Sequence, residues 1–119
     1  PLSGALRSSD DEETAKRMVE RDSSLNMEDT LKHLRSLNPH WQINNATDEQ
    51  KRAWSSVRWY IDCGDDDFLY EGNSLVHIAM RKKEIPHEYR VRDGGHTWSY
   101  WRTALPVVLE FISTSFHQN

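Results

Sequence analysis

The chain has 119 residues, the length of one domain or of part of one, with 36% apolar and 29% charged residues. A net charge of −4 with no basic stripe argues against nucleic acid as a partner, and no apolar run nears the roughly 20 residues that span a bilayer. The single cysteine, Cys63, excludes a disulfide within the chain, and no charged-then-apolar leader opens it.

In chain order, "PLSGALRSS" reads as the end of a buried strand running into a loop, and its start without methionine suggests a piece of a longer protein. Caps and acids at 8–11 start a helix that runs to about residue 21. Ala15, Met18 and Val19 are its only apolar residues, so it belongs on the surface. Leu31, Leu34 and Leu37 repeat at helical spacing and predict a helix over 27–37, ended by Asn38-Pro39. Residues 38–46 read as loop. Thr47 with Gln50 forms a capping-box pattern, which starts a helix over 47–55.

The period then changes. "VRWYIDCG", 57–64, is β-branched and aromatic and ends at glycine, the signature of a strand. Asp65, Asp66 and Asp67 form the loop after it. Residues 69–83 suit a helix with Leu75, Ile78 and Ala79 on one side, and "HEYRVR", 87–92, alternates as a second strand. Gly94-Gly95 turns the chain into a last helix over about 100–116, with a stripe of Leu105, Val108, Leu109, Ile112 and Phe116. Pro106 falls in its early turns, where proline is tolerated.

Strand, helix, strand, helix is the rhythm of an α/β sheet with parallel neighbours. In such sheets reactive groups gather beyond the carboxyl ends of the strands. One such loop carries the three aspartates and the next carries His96, in "RDGGHTWSYWR". Neighbouring strands lie about 4.8 Å apart, so an acid and an imidazole from these loops can meet. A carboxylate on one ring nitrogen fixes the tautomer and leaves the other nitrogen to deprotonate a hydroxyl. The glycines at 94 and 95 let the backbone carry the ring over the sheet edge. The plainer readings are a loop histidine that caps the last helix and a solvated acidic loop. The other histidines (33, 40, 77, 87 and 117) lack paired metal-ligand spacing, so no metal is expected. Cys63 reads as a buried, inert thiol, and Trp98, Tyr100 and Trp101 as packing.

The run "CGDDDFLYEGNSLVHIAM…IPHEYRVRDGGHTWSYWRTALPVVLEFI" resembles the C-terminal part of one esterase branch of the α/β-hydrolases. That branch takes in the esterase D, tributyrin esterase, and feruloyl and acetyl-xylan esterase types. The resemblance implies a triad in the order serine, acid, histidine. The family's G-x-x-D turn falls on Gly64 to Asp67, which makes Asp67 the triad acid with Asp66 as the fallback. Its G-G-H turn falls on His96. The nucleophile belongs in G-x-S-x-G, which this sequence lacks: Ser3 has Pro1 and Ala5 where the glycines belong.

The resemblance thus implies the C-terminal part of an α/β-hydrolase domain, with 1–56 mostly helical and 57–119 carrying acid and histidine. The serine and the oxyanion hole would lie upstream. The implied function is carboxylic-ester hydrolysis on a small-molecule or carbohydrate-linked ester, with no cofactor. The alternatives are a non-catalytic binding module, or a peptidase or acyltransferase with the same triad. An isolated stretch of parallel sheet has uncovered edges and faces. The chain is therefore expected to self-associate or to pair with the missing N-terminal part.

Overall fold

The computed structural model describes Leu6 and residues 10–117, with side chains through Thr114. The opening segment 1–5, Ser3 included, and the side chain of Phe116 lie outside the described residues. Eight elements follow one another: α1 (Asp11–Arg21), α2 (Met27–Ser36), α3 (Pro39–Asn44), α4 (Asp48–Ser55), β1 (Tyr60–Gly64), α5 (Tyr70–Lys82), β2 (Glu88–Arg92) and α6 (Trp98–His117).

The helix starts follow from their caps. The Asp10 carboxylate accepts from the backbone N–H groups of Glu12 and Glu13. Thr47 and Gln50 complete both halves of the capping box on α4. The expected loop at 38–46 is corrected by α3. Asn38-Pro39, read as a stop, follows the end of α2 as expected but is also a start: the Asn38 side chain accepts from the Trp41 N–H, and Pro39 occupies the first turn, where its missing donor costs nothing.

The two strands pair in parallel, from Tyr60 opposite Glu88 to Gly64 opposite Arg92. β1 begins three residues later than expected, because Ser56 and Val57 still close the end of α4 through bonds to the carbonyls of Ala53 and Trp54. Alternation along β1 sends Ile61 to one face and Tyr60 and Asp62 to the other. On the first face Ile61, Val76, Met80 and Ile85 form the core, with Ile43, Trp54, Trp59 and Tyr89 packed against them. Fully burying such aliphatic side chains contributes about 1.5–3 kcal/mol each. The helical segment α1–α4 joins this layer where α3 packs on α5.

Both long helices differ from expectation in the face they bury. On α5 the buried residues are Gly72, Asn73, Val76, Ala79 and Met80, while Ile78 is exposed. On α6, Tyr100 and Ala104 are buried and the Phe111 ring lies 5.2 Å from Tyr60. Leu105, Leu109 and Ile112 are 47%, 55% and 43% exposed, so the apolar stripe that the sequence advertises is turned about one residue away from β1. Pro106 is the ninth residue of α6 rather than an early-turn residue, because the helix starts at Trp98.

Candidate active site

The acid loop and the histidine loop leave the same end of the parallel pair and are stitched together by backbone. The Asp65 N–H donates to the Arg92 carbonyl at 2.9 Å, and the Asp66 N–H donates to the Gly94 carbonyl at 2.9 Å. The Gly94 N–H returns a bond to Asp65 Oδ1 at 3.0 Å. Two glycines make this approach possible. A Cβ on Gly64 would stand 2.1 Å from the Gly94 carbonyl oxygen, so the loop crosses the strand end where only hydrogen fits. Gly94 has φ +133°, a conformation that side chains oppose. Gly95 has no such need, since a Cβ there would meet nothing closer than Asp66 O at 3.7 Å.

This arrangement brings Asp67 and His96 together. The Asp67 carboxylate is fully buried, and its Oδ2 lies 3.0 Å from His96 Nδ1. Its Oδ1 accepts from the Leu69 N–H at 2.9 Å, which holds the carboxylate plane. The Nδ1 contact assigns the proton to Nδ1 and leaves Nε2 as the basic atom. His96 keeps 35% side-chain exposure. Its ring sits between Phe68, at 5.2 Å, and Trp101, edge-on at 4.8 Å. Trp98, 76% exposed, stands against Trp101 at 5.3 Å and packs at the rim, while Tyr100 is buried.

Asp65 and Asp66 are exposed. With Asp93 they bring carboxylate oxygens within 4.8 Å of one another at the rim. Helix α6 is capped by Thr97, whose Oγ1 accepts from the Tyr100 N–H at 3.4 Å, and not by His96. Cys63 is 1% exposed, and burial first, then the charges of Asp67 and Asp62, push its thiol up to about 11. On the α5 side His77 and His87, ten residues apart in sequence, meet with Nδ1 and Nε2 2.7 Å apart.

The sequence reading passed over Asp62. This carboxylate is fully buried in β1 beneath α6. Its Oδ2 accepts from Arg92 Nη1 at 2.5 Å and from the Tyr60 hydroxyl at 2.7 Å, and its Oδ1 accepts from the Tyr100 hydroxyl. Burial, then the Asp62 hydrogen bond, raises both tyrosines above the ordinary phenol value. The signal was present: an acid between Ile61 and Cys63 in a buried strand needs partners, because a lone buried charge is costly.

No family model matches the sequence. Over 72 residues the chain is 29% identical to an acetyl esterase of Caldicellulosiruptor saccharolyticus, a stretch that takes in 60% of this chain and 27% of that protein. Among solved structures it is similar to a ferulic acid esterase, at 44% identity and a TM-score of 0.60, over 61% of this chain and 28% of the other. The stretches matched thus make up about a quarter of each relative's length. These similarities relate the chain, over part of its length, to esterases of the α/β-hydrolase type.

Proposed function

We propose that this chain supplies the acid and the histidine of a serine carboxylesterase. Its two parallel strands would be the C-terminal part of an α/β-hydrolase domain, with 1–56 as a helical segment and 57–119 bearing the site. The observation that carries this reading is the buried Asp67 carboxylate on His96 Nδ1 at the carboxyl end of the strands. The esterase relatives support the reaction class, and, with no G-x-S-x-G in the sequence, this reading takes the nucleophile from residues outside it.

In that reaction a serine hydroxyl attacks the ester carbonyl while His96 Nε2 takes its proton. Asp67 holds the Nδ1–H tautomer and stabilises the imidazolium that forms. The proton on Nε2 then passes to the departing alcohol, which leaves an acyl-serine. Water, deprotonated at the same nitrogen, releases the acid. The substrate is a small-molecule or carbohydrate-linked ester. The rest of the domain covers the open side of β1 and the apolar stripe on α6.

The test is a short-chain nitrophenyl ester assay on the protein that carries this sequence together with the residues preceding it. His96→Ala should lower kcat by at least about a thousandfold. Asp67→Asn should lower it strongly while leaving KM near its original value. An inert whole protein, or one indifferent to His96→Ala, overturns the proposal in favour of a binding role.

A further inference from the structure

We infer that Asp62 is a positioning residue for His96, acting through Arg92 and Tyr100; the role as positioner of a base rests on the esterase reading above. His96 stands in the link between β2 and α6. Arg92, four residues before it, is the last residue of β2, and Tyr100, four residues after it, lies in the first turn of α6. One buried carboxylate holds both: Asp62 Oδ2 on Arg92 Nη1 and Asp62 Oδ1 on the Tyr100 hydroxyl. The histidine loop is therefore fixed at each end by a single group in the neighbouring strand.

The grip reaches the loop backbone through packing. With its hydroxyl held by Asp62, the Tyr100 ring lies over Gly94, where an added Cβ would come within 2.9 Å of Cδ2. The Gly94 carbonyl in turn lies over Gly64, where an added Cβ would come within 2.1 Å. Tyr100, Gly94 and Gly64 thus form a stack that sets the height of the histidine loop above the strand end. The Asp67–His96 bond alone does not set that height, since a single hydrogen bond tolerates a range of ring positions. Stability alone is a poor reason for a charge here, because well-packed apolar residues often replace a buried ion pair at no loss.

The test is an imidazole NMR experiment and a kinetic one, both on the longer protein that carries this sequence. The Nδ1–H resonance of His96 is assigned by its loss in Asp67→Asn. Tyr100→Phe keeps the ring over Gly94 but releases it from Asp62, and Asp62→Asn releases Arg92. Both should lose or broaden that resonance and shift the ring towards a mixture of tautomers, while the indole signals of Trp41, Trp54 and Trp59 stay in place. If Asp62→Asn fails to fold, Tyr100→Phe decides. A folded Tyr100→Phe chain with an unchanged His96 resonance overturns the inference. In the longer protein Tyr100→Phe should lower kcat about 10- to 100-fold with KM unchanged. Unmoved kcat in an active enzyme overturns the positioning while the ester chemistry stands. An inert parent instead sinks the esterase reading, and the NMR result still decides whether Asp62 places the ring.

Discussion

Replacing Gly64 by alanine tests the crossing of the two loops directly. The new Cβ would lie 2.1 Å from the Gly94 carbonyl oxygen and 2.6 Å from its carbon, against a practical limit of 3.0 Å for such contacts. Both obstacles are backbone, so the histidine loop must lift by about 0.9 Å or more, the difference between those distances. A lift of that size breaks the Asp66–Gly94 bond, now 2.9 Å, and opens the Asp67–His96 contact, now 3.0 Å. Overpacking costs about 1–3 kcal/mol, and each lost bond about 1 kcal/mol. Gly64→Ala should therefore destabilise by about 3–5 kcal/mol in urea unfolding followed by tryptophan fluorescence. Activity of the longer protein should fall about 100-fold for a misplacement near 1 Å. Gly95→Ala is the internal control: with 3.7 Å to its nearest neighbour, it should stay within about 0.5 kcal/mol. A Gly64→Ala chain as stable as the original with its Asp67–His96 bond intact, or a Gly95→Ala chain equally damaged, would refute the crossing.

Arg92→Met should destabilise by about 3 kcal/mol, the low end for a broken buried pair, because Arg92 keeps 28% side-chain exposure while Asp62 has none; chemical denaturation measures it. Cys63, with a thiol pushed up to about 11, should resist iodoacetamide at pH 8 until the chain unfolds, and mass spectrometry of native and denatured samples checks this. Burial first, then His87 and Arg81, holds His77 below the ordinary histidine value of 6.5. Above pH 6.5 the ring is neutral in both states and has no effect. As pH falls through 6.5 the unfolded chain takes the proton first, so stability declines, then levels off once the folded ring is also protonated. His77→Phe, which keeps a ring stacked on Tyr89, should flatten that decline in melting temperatures taken between pH 7.5 and 5.

The meeting of the two loops was more legible in the sequence than the packing was. Glycines and strand ends fix where loops turn, and those marks are local; they bring the aspartate loop and His96 to one rim, while the choice of Asp67 among three aspartates came from the resemblance and not from any local mark. The rank order of the two long helices' faces was not legible. On α6 the most apolar stripe, Leu105 and Leu109, is not the face that meets β1; Tyr100 and Ala104 meet it, because a hydroxyl for Asp62 and a small residue near the strand suit that contact better than leucine. Asn38-Pro39 shows a different limit: the same dipeptide can end one helix and begin the next, and only the chain beyond it decides. The meeting of Asp62 with Arg92 and Tyr100 spans 30 and 38 residues, beyond the reach of any periodicity.

The parallel pairing of β1 and β2 also divides the molecule by end. The loops that bear Asp67 and His96 emerge at one rim, and the link from α5 back to β2, residues 83–87, lies at the other. Extra residues accepted in that link would leave the spacing of Asp67 and His96 untouched. One residue added between 64 and 67, or between 92 and 96, would put the pair out of phase. Evolutionary drift in length is thus tolerable at one pole of the unit and forbidden at the other.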